Sequence, residues 1–170
     1  MQSPYAITVF VCQNSLDAIV YWWNDEDHPR FAKEDKLLIL CDAGGSNSYR
    51  SRLWKRQLQE KLADRLGIEV MVCHYPTGAS KWNPIEHRLF SQVSLSWAGQ
   101  PLTSYDVVLD ALRSTTTTTG LSVEATLNEA LYEKGLTVSD QDMSALLIER
   151  HNICSDWNYT IRPRKTGSNL

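Results

Sequence analysis

Two carboxylates stand where an α/β fold gathers reacting groups. Asp42 closes the apolar run Lys36–Asp42 (KLLILCD) and precedes the glycine turn Ala43-Gly44-Gly45. In open α/β sheets, ligands bind at the C-terminal ends of the strands. Glu86 lies in Asn83-Pro84-Ile85-Glu86, the first turn of a predicted helix. A helix N-terminus carries partial positive charge, so a carboxylate there stays ionised and ready for a cation. One helix, one strand and one loop lie between the two, a path that can return the chain to the same sheet edge. Two hard carboxylates at one edge suit Mg²⁺ or Mn²⁺ better than zinc. A pair of such ions, about 4 Å apart, can activate a water or a 3′-hydroxyl and stabilise the leaving oxygen of a phosphodiester. Each residue also has a purely structural explanation. D-A-G-G is good turn chemistry, and Asn83 with Glu86 makes a capping box. Position and spacing leave both explanations open.

The basic residues near these carboxylates are clustered. Arg50, Arg52, Lys55 and Arg56 crowd the start of the helix after Asp42, and Lys81, His87 and Arg88 flank Glu86. Trp82 beside Lys81 pairs a stacking surface with a cation, a combination used on unpaired nucleic acid. The alternative is a solvated helix face and a core tryptophan. The formal net charge of -3 is a poor global footprint for a DNA-binding protein, so any such contact must be local. Other chemistries find little support. Gly44-Gly45-Ser46-Asn47 lacks the P-loop lysine and the dinucleotide glycine spacing. Cys73-His74 resembles the start of a thiol or metal site, but adjacent strand residues point to opposite faces.

The elements that must position these groups follow from periodicity. Tyr5 to Cys12 reads as a strand, and Leu16 to Trp23 has helical spacing. Asn24 to Asp35 is a polar loop. Lys36 to Asp42 suits a strand buried on both faces. A helix follows from about Tyr49 to Leu66, with Gly67 at its C-cap. Ile68 to His74 is a second strand, so the middle of the chain reads strand–helix–strand with parallel pairing. Asn83 to Ser96 is helical, with Pro84 at the first position and Ile85, Leu89, Val93 and Trp97 as the buried stripe. Tyr105 to Arg113 is another helix. Thr115 to Thr119 and the alternation from Leu121 to Leu127 favour extended backbone. A capping box at Ser139–Asp142 predicts a helix to about Arg150. Trp157 to Ile161 reads as a final strand, and the tail from Arg162 as a fraying end.

A chain of 170 residues with 42% hydrophobic content can bury a core. No apolar run reaches the ~20 residues that span a bilayer, and Met1 to Cys12 lacks a secretory pattern. Cys12, Cys41, Cys73 and Cys154 form no C-x-x-C pair, which points to free thiols in a reducing cytoplasm rather than a zinc ribbon.

Four segments together resemble a known family. LLILCDAGGSNSYRSRLWK (37–55), VCHYPTGASKWNPIEHRLFS (72–91), GQPLTSYDVV (99–108) and WNYTIRPR (157–164) are similar, in order, to Rhodopirellula-type DDE transposases. The resemblance runs from about Leu16 to Arg164. It implies an α/β, partial ribonuclease H-like (integrase-type) fold with a mixed sheet and flanking helices. The implied division is residues 1–113 as the C-terminal part of the catalytic domain, 114–164 as a C-terminal α+β extension and 165–170 as a frayed tail. It also implies DNA transposition, with Mg²⁺ or Mn²⁺ as cofactor and DNA, at insertion-sequence ends and targets, as partner. The aspartate of the D-x-G-G-S-N segment maps to Asp42 as the second catalytic acid. The glutamate of W-N-x-I-E-H maps to Glu86 as the third. Gly44, Gly45, Asn47, Ser80, Lys81, Asn83 and His87 are adjacent motif positions, and Arg50, Arg52, Lys55, Lys81 and Arg88 are the candidate DNA contacts.

The first acid of the family sits on a leading strand that has no counterpart here. Asp17, Asp25, Asp27 and Asp35 lie on a helix or in a polar loop. The expectation is therefore a truncated transposase, active only if an upstream transposase polypeptide or self-association completes the site. The competing expectation is a catalytically inactive remnant acting as a DNA- or transposase-binding module.

Overall fold

The computed structural model describes residues 15–24, 34–45, 47–76, 78–79, 82, 84–117, 120, 123–127, 129 and 135–164, with backbone alone at 15 and 84–86. Two compact units divide the chain. One comprises Phe10–Gly78 and Glu133–Leu170, the other Met1–Val9 and Ala79–Tyr132. The strand expected at Tyr5–Cys12 lies outside the described residues.

The larger unit is built on a four-stranded mixed sheet of order β1-β2-β4-β3. β1 (Lys36–Asp42) pairs in parallel with β2 (Glu69–Tyr75), from Lys36↔Glu69 to Asp42↔Tyr75. β4 (Asn158–Ile161) pairs antiparallel with β2, and β3 (Ile148–Arg150) antiparallel with β4. The strand–helix–strand expectation holds, because the intervening helix can cover one face of a parallel pair. That helix opens at Ser51, whose side chain accepts the Trp54 N–H. It runs as α2 (Arg52–Gln57), then widens into a π-helical segment, Leu58–Asp64. Gly67 follows at φ 68°, the left-handed conformation in which glycine closes a helix at no steric cost. α1 (Ser15–Trp23) lies where its spacing predicts. Leu16 and Ile19 of α1 and Trp54, Leu58, Leu62 and Ala63 of the later helix cluster with Val70, Val72, Tyr159 and Ile161 of the sheet.

Four expectations are corrected. β1 is not buried on both faces: Leu38 and Leu40 are 56% and 45% exposed, while Cys41 on the other face is 4%. Among the described residues β1 is an edge strand, and one face alone meets the core. The helix expected through Arg150 stops at Ser144, as α5 (Asp140–Ser144). Its capping box is present, but the Leu147 N–H donates to Gln59 Oε1 at 2.9 Å and the chain enters β3 instead. Val123 to Leu127 is not a strand, since its alternation finds no strand to pair with among the described residues. Arg162 and Arg164 do not fray. Arg164 makes two side-chain bonds to Asp64 Oδ2, at 2.6 and 2.8 Å, and Arg162 pairs with Glu69 and Glu149. Residues 165–170 lie outside the described set.

Gln59 explains why the β3–β4 hairpin stays closed. It is fully buried on the π-helical segment, where the wider turn brings residues five apart together. Its Nε2 donates to Asp64 Oδ1 and to the Arg162 carbonyl, both at 2.8 Å, while its Oε1 takes the Leu147 N–H. One amide thus holds both ends of the hairpin.

The smaller unit contains α3 (Pro84–Trp97) and α4 (Tyr105–Arg113), the latter capped by the Ser104 side chain on the Val107 N–H. Of the expected α3 stripe, Val93 is buried and Leu89 and Trp97 are half-buried. Thr115 is fully buried and its hydroxyl donates to the Ala111 carbonyl at 3.1 Å.

Candidate metal and nucleic-acid site

Asp42 is the last residue of β1 and its side chain is exposed. The strand places it because Cys41, one residue earlier, anchors the opposite face in the core. Burial pushes the Cys41 thiol up to about 12, against a lowering hydrogen bond from Asn47. It therefore stays a thiol at neutral pH. The turn after Asp42 needs Gly45 at φ 74°, a conformation that strains an L side chain. Its backbone is then stitched by Ser48 N–H to the Gly45 carbonyl (3.3 Å) and Ser51 N–H to the Ser48 carbonyl (2.9 Å).

Side chains from below hold the same turn. His74, buried on β2, places Nε2 2.9 Å from the Asn47 carbonyl and Nδ1 2.8 Å from the Trp157 carbonyl. Lys55 Nζ donates to the Tyr49 carbonyl at 2.6 Å and sits 5.4 Å from the centroid of the Tyr159 ring. Tyr49 packs on Trp157, with ring centroids 5.1 Å apart. None of His74, Tyr49 and Trp157 stands out in the sequence as part of the site. The available signal was His74's place in β2, in step with Val70 and Val72 on the core-facing side.

The candidate DNA contacts divide. Arg50 is exposed, its guanidinium 5.1 Å from the Tyr49 ring centroid. Arg52 is exposed but paired with Asp140 at 2.6 Å. Lys55 is 7% exposed, and its ammonium donates to the Tyr49 carbonyl within the fold. Burial lowers its affinity for the proton, with Arg150 adding to the effect. His87 and Arg88 are exposed on α3. Trp82 is 70% exposed, which removes the core-tryptophan alternative. Ser80, Lys81 and Asn83 lie outside the described residues.

Glu86 is the third residue of α3, in the smaller unit, whereas Asp42 belongs to the larger one. Its side chain lies outside the described residues. Among the described residues no group of three or more His, Cys, Asp or Glu is placed to hold a metal ion. The donor at the strand end nevertheless fits a hard cation. Asp42 offers carboxylate oxygens, while the neighbouring softer groups are committed: Cys41 stays protonated and both His74 nitrogens face carbonyls.

A mixed sheet flanked by helices, with a carboxylate at the C-terminal end of a parallel strand, defines an α/β domain of the ribonuclease H-like DDE kind. The chain matches the model of the Rhodopirellula transposase DDE domain over residues 9–163 and belongs to that family. No curated protein and no solved structure matches it. Membership ties the chain to transposition, with DNA as the family's substrate and divalent metals as its usual cofactors.

Proposed function

We propose that this chain supplies the second and third acids of a DDE transposase, Asp42 and Glu86, for cleavage and strand transfer at insertion-sequence ends. The observation that carries the proposal is Asp42 at the C-terminal end of a parallel strand inside a segment matched to the family. Asp42 and Glu86 would hold Mg²⁺ or Mn²⁺. Bound there, the metal would supply Lewis acidity at the phosphodiester and a more acidic attacking hydroxyl. The chain's own residues do the rest. The strand end fixes one carboxylate, the α3 N-terminus favours the ionised form of the other, and Arg50 and Arg88 offer cations to phosphate oxygens. In this reading the first acid is supplied by an upstream transposase polypeptide. The setting is the bacterial cytoplasm, at the nucleoid.

The assay is Mg²⁺- or Mn²⁺-dependent nicking and strand transfer on insertion-sequence ends, with and without the upstream polypeptide. Activity in the complemented mixture should fall to background with Asp42→Asn and with Glu86→Gln alike. Absence of activity in both arrangements defeats the enzymatic proposal. It would favour the second reading, an inactive DNA- or transposase-binding remnant. That reading draws on the formal net charge of -3, low for a DNA-binding surface.

A further inference from the structure

The backbone of the Asp42 turn is held at two carbonyls, Asn47 and Tyr49, by side chains from two different elements, His74 of β2 and Lys55 of α2. His74 is the more telling of the two. A carbonyl oxygen only accepts, so a bond to it takes an N–H from the ring. The Trp157 carbonyl already receives the backbone N–H of His74 at 3.2 Å. The ring is thus not required there, whereas at Asn47 it is the ring that reaches across, at 2.9 Å. Tyr49 and Tyr159 lie on either side, with ring centroids 6.2 and 6.0 Å from that of His74, and fix how the imidazole is turned. Asn47 in turn hydrogen-bonds the thiol of Cys41, the residue before Asp42.

We propose that His74 is a positioning residue for the Asp42 turn: it donates from Nε2 to the Asn47 carbonyl and couples that turn to the C-terminal segment at Trp157. Its consequence for metal binding rests on the assignment of Asp42 as a metal carboxylate; its effect on the turn does not. A displacement of about 1 Å at a reacting group can cost about 10²-fold in rate, which is why such a tether matters.

Three measurements on the full chain test this. The first is the ¹⁵N shift of the His74 ring, which should show Nε2 carrying hydrogen. The second is amide exchange in His74→Phe, which keeps an aromatic ring between the tyrosines but donates nothing. Exchange at Ser48 and Ser51 should rise roughly three- to tenfold, the size of one lost hydrogen bond, while Val70 and Val72 keep their rates. His74→Gln, which keeps an N–H donor but loses the ring, should fall between. The third is Mn²⁺ affinity by water-proton relaxation, which should weaken in His74→Phe and collapse in Asp42→Asn. A bare Nε2, unchanged exchange at Ser48 and Ser51, or a rise spread evenly through β2 overturns the proposal. If Mn²⁺ binding is the same in the wild type and Asp42→Asn, the metal assignment falls, and the nitrogen shift and the exchange rates still decide the role of His74. If His74→Phe fails to fold, the wild-type nitrogen shift and His74→Gln decide it.

Discussion

The unit that carries Asp42 and the unit that carries Glu86 are held together by different means. Around Asp42, Leu16, Leu58, Leu62, Val70, Val72, Tyr159 and Ile161 form a dry cluster against the sheet, each at most 1% exposed. Around α3 and α4, the buried described residues are Val93, Ala111 and Thr115, and the contacts are largely local. Cooperative stability grows with the apolar surface buried, so the difference implies two levels of protection within one chain. One carboxylate is mounted on a rigid strand end. The other sits at the start of a helix in the less deeply buried unit.

This comparison can be broken most directly in the core. Leu62→Ala should cost about 2–5 kcal/mol, the range for emptying a fully buried leucine site. The loss should appear in urea unfolding and in faster amide exchange throughout β1 and β2. Val93→Ala should leave β1 and β2 exchange unchanged and act on α3 and α4 alone. If Val93→Ala loosens the sheet equally, the two units are not separate in stability. A smaller effect tests the hairpin. Gln59→Leu removes the amide's bonds to the part-buried Leu147 N–H and to the Arg162 carbonyl and should cost about 1–3 kcal/mol, with exchange rising first in β3 and β4.

The smallest expected effect is electrostatic. Burial pushes the Asp64 carboxyl up, but the Arg164 side chain, the Arg164 backbone N–H and Gln59 together hold it below its ordinary value. Stability from a carboxyl depressed in the folded state is fully present above the unfolded value, about 3.9, and is lost as pH falls through the folded value. Urea midpoints should therefore drop as acid passes below about pH 4, and less steeply in Arg164→Ala. An identical acid slope in that variant would remove Arg164 as the cause.

The sequence shows best what the core demands. β1 matches its expected limits because four apolar residues in a row, followed by a glycine turn, have few other uses. α4 matches likewise, with its serine cap and apolar stripe. Illegible features depend on partners far along the chain. Ile148 to Arg150 has one half-buried position in three, so nothing local marks it as a strand. The Arg162–Arg164 tail looked free because Asp64, Glu69 and Glu149 lie distant in sequence. The π-helical widening is set by Gln59 reaching Asp64 and the hairpin, not by propensity. At the site, Asp42 could be placed on its strand, but for Glu86 nothing local distinguishes a ligand role from a helix-capping one, and only the motif resemblance points to the former.

The insertion of β4 between β2 and β3 has a consequence for how the protein comes into being. His74 and Trp157, bonded through backbone and ring, are 83 positions apart. A ribosome that has released Asp42, its turn and β2 must still make most of the remaining chain before their neighbouring strand exists. The penalty for closing so long a loop grows only slowly with its length, but the wait does not shrink. During it, the inner edge of β2 and the apolar face meant for Tyr159 and Ile161 are open to any other strand that arrives first. A nascent chain stalled short of residue 158 is the species expected to aggregate, and β4, the last of the described strands, is the one that closes the sheet.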